Sequence, residues 1–259
     1  MRSRRQRVHS ILAIVLCLWV TRPCPAPGQT IECEYEDLLW SIDVGSQSQL
    51  DIVGYGVDIA DGWLFATHAN GLSIVDVADP DNPAFVATHG NTPQYNYRSL
   101  DADGRILYVT TSSPDHGFAV LDCSNPEAPV LIDQYVIGSF VRDIRVVGSL
   151  LCTTDVSHTL NVFDISNIQS GAVHRGSLSL DTGFPSRHGL AYNGSILFVT
   201  HPTGFDCVDL SDPDNPGVVG TYSTDAFPGA IDFNDGVLYL AFRGKIESVD
   251  VSDRPTPSV

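Results

Sequence analysis

Along the chain the hydrophobic positions fall in short runs closed by Gly, Asp, Asn or Pro. In no window of 11 residues do apolar residues keep a helical period without Gly, Pro or a β-branched residue interrupting it. Five runs share one pattern: "GLSIVDV" (71–77), "GFAVLDC" (117–123), "TLNVFDI" (159–165), "GFDCVDL" (204–210) and "KIESVDV" (245–251). The Asp near the end of each, at 76, 122, 164, 209 and 250, recurs at intervals of 46, 42, 45 and 41 residues. A repeat of this length decides the fold before any local motif does. Each unit predicts four short strands. The first ends in a Gly turn, as in "VDIADG" (57–62); the second reads like "LFAT" (64–67) or "LYVT" (107–110). The third is the run just quoted, almost continuously apolar, as a strand buried on both faces should be. The fourth follows a proline turn, as in "AFVATH" (84–89) and "VLIDQYVI" (130–137). Four short antiparallel strands per unit make a blade, and five such units predict an all-β protein, a β-propeller.

The repeated carboxylates Asp76, Asp122, Asp164, Asp209 and Asp250 sit where the third strand must turn. An Asp there accepts hydrogen bonds from backbone N–H groups about two residues on. Five symmetric copies favour this structural role over a catalytic one. The "GLSIVDVADPDNP" and "GFDCVDLSDPDNP" stretches resemble the LVIVD repeat, a bacterial and archaeal cell-surface repeat with a β-propeller pattern. The likeness runs over 38–257, is degraded in the third unit ("SNIQSG") and departs again in the fifth, where Lys245 replaces the usual Gly. It implies a surface-exposed propeller and transfers no catalytic residue. The segment "DLLWSIDVG" (37–45) looks like a fourth strand with no other strands before it; pairing with the last unit it would close a five-blade ring without exposed edges. The alternative is a truncated ring of six to eight blades.

Residues 1–28 read as a secretory signal: a basic "MRSRRQR", the apolar core "ILAIVLCLWV" and small residues before a cut near Gln29. The expected organisation is therefore the signal, a segment 29–36, and a propeller over 37–259, secreted or displayed on the cell surface as a monomer. No later stretch is long and apolar enough to predict a membrane-spanning helix. Five of the 14 basic residues lie in the signal, so nine face 31 acidic ones in the mature chain, about −22. That charge disfavours nucleic acid and anionic membranes as partners; adaptation to high salt is equally compatible with it. Cys123, Cys152 and Cys207 align with Val, Ile, Leu or Ala in the other units and read as core positions; Cys33 has no such counterpart.

Candidate chemistry is sparse. Nucleophile elbows, HExxH, CxxC and phosphate-loop motifs are missing from the mature sequence, and no cofactor is implied. "DPDNP" at 79–83 and 212–216 has calcium-like spacing but lacks the Gly and closing Glu of an EF-hand loop, so it reads as a turn. His68 and His201 occupy equivalent places and read as exposed loop residues. Arg98, Arg142 and Arg187 fall at successive junctions between the fourth strand and the next first strand, and Arg243 in a loop at the same end. Two readings of them stay open: a structural ring of ion pairs with Asp58, Asp101, Asp143 and Asp232, or a positive mouth on the channel, suited to a carboxylate, sulfate or phosphate. Two functions follow. One is a non-enzymatic binding or scaffolding module for an extracellular protein, glycan or small anion. The other is a hydrolase using carboxylates near the axis, Asp58, Asp101, Asp143 or Asp232.

Overall fold

A computed structural model describes residues 54–68, 71–90, 97–112, 115–180, 189–242 and 245–251. The signal at 1–28, Cys33 and the strand expected at 37–45 lie outside the described residues. The chain forms five antiparallel sheets, each built from strands consecutive in sequence. Blade one holds β1 (Gly54–Ala60), β2 (Trp63–His68), β3 (Gly71–Asp76) and β4 (Ala84–His89). Blade two holds β5 (Tyr97–Asp103), β6 (Ile106–Thr111), β7 (Gly117–Asp122) and β8 (Val130–Val136). Blade three holds β9 (Val141–Val147), β10 (Leu150–Asp155), β11 (Thr159–Asp164) and β12 (Val173–Ser179). Blade four holds β13 (Leu190–Tyr192), β14 (Ile196–His201), β15 (Gly204–Asp209) and β16 (Gly217–Ser223). Blade five shows three strands among the described residues: β17 (Ala230–Asn234), β18 (Val237–Phe242) and β19 (Lys245–Asp250). The result is a five-bladed β-propeller.

Local chemistry explains the hairpins. Asp61–Gly62 and Asp235–Gly236 join the first two strands of their blades with positive φ at both residues, the two-residue turn that matches strand twist. In each complete blade the third and fourth strands slip register at one place, between Ile74 and Val75, Val120 and Leu121, Val162 and Phe163, and Cys207 and Val208. Such bulges sharpen the twist of the outer strand.

The core lies between blades. Phe65, Leu72 and Ile74 of blade one pack with Leu100, Leu107 and Val109 of blade two, and similar clusters join the following pairs. Burying one such side chain, Leu72 for example, stabilises by about 2 kcal/mol. Cys123, Cys152 and Cys207 are buried free thiols within these clusters. Leu64, Ala66 and Val75, whose counterparts in blade two face the preceding blade, are buried as well, as a ring requires. The ring is looser near the axis at blade one. Val57 is 41% exposed there, whereas its counterparts Leu100, Ile144, Leu190 and Ile231 are exposed by 8% or less.

Candidate functional site

The first strands β1, β5, β9, β13 and β17 line the axis, and their outer hydrogen-bonding edges have no neighbouring strand. Buried backbone donors on such an edge need acceptors. Asp58 Oδ2 accepts from the Ala102 N–H of the next blade at 2.9 Å, and its Oδ1 from Ile59 N–H at 2.8 Å. Asp101 Oδ2 likewise accepts from Val146 N–H at 2.6 Å. Asp143 Oδ2 accepts from Leu190 N–H at 2.9 Å, while its Oδ1 takes Ile144 N–H at 3.0 Å and the Ser99 hydroxyl. A carboxylate of one blade thus caps the open edge of the following one.

Sequence order suggests that Asp58, Asp101, Asp143 and Asp232 are equivalent, and pairing with the second strands corrects this. Phe65, Tyr108, Cys152, Phe198 and Tyr239 lie opposite Asp58, Asp101, Arg145, Ala191 and Asp232, so Cys152 takes an aromatic place in the repeat, one residue before the aliphatic one read from sequence. Arg145 therefore occupies the axial position in blade three, and Asp143 stands two residues earlier. A two-residue step keeps the same side of a strand, so Asp143 makes the same bond one pleat along.

Arg145 Nη1 donates to Asp101 Oδ1 at 3.2 Å, and Nη2 reaches Asp232 Oδ1 of blade five at 3.0 Å. Burial pushes the Asp101 carboxyl up to about 6, against the pull of Arg145 and the Val146 N–H. Burial also raises Asp143, opposed by the bonds from Ser99, Leu190 and Ile144. For Arg145, burial lowers the pKa, but the carboxylates of Asp101, Asp232 and Asp143 outweigh it and the net direction is up. Both oxygens of Asp58, Asp101 and Asp143 already hold hydrogens. That arrangement suits a brace better than a proton shuttle.

The antiparallel strand order puts the starts of the first strands and the loops between second and third strands at one end of the channel. Arg98 and Arg142 stand there. The Arg98 guanidinium carbon lies 4.5 Å from the Tyr55 ring centroid and 5.0 Å from that of Phe140; the Arg142 carbon lies 5.1 Å from Phe140. His116 comes from the loop before β7, its ring 5.7 Å from Phe140. Thr67 Oγ1 donates to the Arg98 carbonyl, tying the start of β5 to blade one, and Val156 N–H holds the Phe140 carbonyl at 2.9 Å. Arg187 and Arg243 lie outside the described residues.

At the opposite end are the turns between third and fourth strands. Asp76, Asp122, Asp164 and Asp209 accept from the N–H groups of Ala78, Ser124, Ser166 and Ser211 at 3.0, 2.8, 2.9 and 2.8 Å. Asp250 ends β19 at the equivalent place. In the "DPDNP" turns Asp79 and Asp212 repeat the device: each takes the N–H two residues on and the side-chain amide of Asn82 or Asn215. Those bonds, first the one from Asn82, hold the Asp79 carboxyl below its ordinary range.

His68 and His201 differ from expectation: both are buried at the ends of β2 and β14, 3% and 8% exposed. The strand continues one residue past the Thr read as its end, which turns the ring into the blade. His68 Nε2 meets Ser73 Oγ at 3.1 Å, and burial lowers its pKa. In blade four Thr221 Oγ1 donates to Asp206 Oδ1 at 2.6 Å, and His201 Nε2 lies 3.8 Å from that same oxygen. In blade four the Asp206 carboxylate thus stands between the threonine hydroxyl and the histidine ring. Among the described residues no group of three or more His, Cys, Asp or Glu is arranged to hold a metal ion.

Blades around a braced axis, with turn-capping carboxylates at one end, define a repeat β-propeller. The chain belongs to the LVIVD repeat family, whose repeat matches residues 56–89, 99–136, 138–170 and 190–224, more than half the sequence. Blade five lies outside these matches, in keeping with Lys245 at the glycine position. No curated protein matches the chain in sequence. Among solved structures, a functionally unknown protein from Desulfotomaculum acetoxidans is similar at 15% identity, TM-score 0.62, over 78% of this chain and 66% of that one. The computationally designed Ika8 protein is similar at 13% identity, TM-score 0.56, over 79% and 59%. PorZ, a surface component of the type-IX secretion system of Porphyromonas gingivalis, is similar at 13% identity, TM-score 0.53, over 76% and 25%. At these identities the likeness concerns the fold, and the chain spans less than two thirds of Ika8.

Proposed function

We propose that the protein is a non-enzymatic, extracytoplasmic propeller that binds or scaffolds at the cell surface and offers the arginine-bearing mouth of its channel to an anionic ligand, glycan or protein. Location rests on the signal pattern of residues 1–28. The observation that carries the binding reading is the contrast along the axis: the carboxylates a hydrolase would use are engaged with backbone N–H groups and Arg145, while the guanidiniums at the mouth rest against aromatic rings. Catalysis by the axial carboxylates would need one of them free to exchange a proton with substrate.

The test incubates the exported protein with anionic oligosaccharides and chromogenic glycosides, beside the Asp101→Asn variant. Retention of ligand without turnover, unchanged in the variant, is expected, together with a mature N-terminus near Gln29 by mass spectrometry. Turnover that disappears in Asp101→Asn would establish the hydrolase instead.

A further inference from the structure

Two buried nitrogens around the Phe140 ring lack hydrogen-bond partners: Arg98 Nε and His116 Nδ1. An aromatic face attracts a guanidinium but leaves its in-plane N–H donors unengaged. Arg98 is held in this way between Tyr55 and Phe140, and the described ion pairs of arginine, those of Arg145 and Arg175, involve other residues. Leaving a buried polar atom unmatched costs about 1–3 kcal/mol, more when it is charged. In a protein of net charge −17, a guanidinium at the channel mouth that pairs with no carboxylate among the described residues is available to one from outside.

We propose, resting on the binding reading above and sharpening it, that Arg98, Arg142 and His116 around Phe140 form a carboxylate-binding site. A guanidinium fork takes a planar carboxylate through two parallel N–H bonds. The carboxylate class is favoured over phosphate or sulfate by charge. Repulsion from an acidic protein grows with the ligand's charge, and Asp101 and Asp143 stand further down the same strands as the two arginines. A single negative charge engages the fork at the smallest repulsion. A free carboxylic acid, a uronic acid of a glycan and the C-terminus of a peptide share this chemistry.

The site is tested by following the His116 ring resonances by NMR while acetate, glucuronate, a short peptide acid and its C-terminal amide are titrated into the purified protein, with sulfate and phosphate in parallel. Saturable, salt-sensitive shifts are expected with the carboxylates and not with the amide, and the tightest of the three identifies the source. Arg98→Gln and Arg98→Lys should each weaken binding about tenfold or more, the loss of one charged hydrogen bond. Arg98→Lys retains the charge and stem, so a readout survives if Arg98→Gln fails to fold. Sulfate or phosphate binding more tightly than every carboxylate overturns the ligand class and leaves the mouth as the binding face. Undiminished carboxylate binding in Arg98→Lys, with the wild-type melting temperature, overturns the site. No saturable shift with any anion overturns the anion-binding mouth altogether.

Discussion

Carboxylates do one job at two places in this molecule, and the difference lies in distance along the chain. At the rim, Asp76, Asp122, Asp164 and Asp209 accept an N–H two residues away, so the bond closes a turn that the local sequence already favours. At the axis, Asp58, Asp101 and Asp143 accept N–H groups 44, 45 and 47 residues away, so each bond joins one blade to the next. Water can stand in for a rim Asp. At the axis a lost acceptor leaves a half-buried donor unmatched and one contact between blades broken, and Asp101 would leave Arg145 short of a partner as well.

Five measurements bear on that contrast. The largest effect is expected outside both sets, where third and fourth strands meet: a Cβ at Gly204, with φ +147°, would stand 1.8 Å from the Tyr222 carbonyl oxygen. Gly204→Ala should therefore cost about 4 kcal/mol from overlap and backbone strain combined, seen as a lower urea midpoint. Lys245 already holds this position in blade five, where Lys245→Gly should change the midpoint little. Next, Asp101→Ala should cost about 3 kcal/mol, because Arg145 and the Val146 N–H both lose an acceptor. A variant as stable as wild type would show that the axial bonds are incidental.

Asp209→Ala should cost about 1 kcal/mol in the same assay, the usual value of one local hydrogen bond. If it equals the Asp101 variant, the distinction between rim and axis fails. The smallest effect is a pH dependence. Burial pushes the Asp101 carboxyl up to about 6 in the folded chain, above the ordinary carboxylate range of the unfolded one, so between the two the folded state holds the extra proton. Stability should therefore rise as pH falls from about 7 to about 5.5, and that gain be lost again as pH rises through about 6. Thermal melts of wild type and Asp101→Asn across that range check it; the slope should flatten in the variant.

The architecture was legible because it is periodic. Third strands advertise themselves by a run such as "SIVD" buried on both faces, and "ADG" or "NDG" dictates a turn with two positive φ angles. The rim Asp was legible for the same reason, since its partner lies two residues on. The axis was not. Counting from Asp58 and Asp101 to Asp143 gives intervals of 43 and 42, yet β9 is shifted by one pleat, so Arg145 takes the axial place. Only the cross-strand register, opposite Cys152, reveals this. At the mouth, Arg98 and Arg142 could be read from their repeat positions, but Tyr55, His116 and Phe140 come from three different kinds of segment. Their meeting depends on the closure of neighbouring blades, which no local spacing encodes.

The bond from Arg145 to Asp232 spans 87 residues, about two repeats, whereas the axial bonds of Asp58, Asp101 and Asp143 each span about one. Folding can then proceed in chain order as the polypeptide emerges, each new blade docking on the last with a modest loop-closure entropy. The bond from Arg145 to Asp101 can form with blade three, but the one to Asp232 must wait for blade five. In kinetic terms the Arg145–Asp232 bond belongs among the late-forming contacts, so removing it through Asp232→Ala should speed unfolding more than it slows folding.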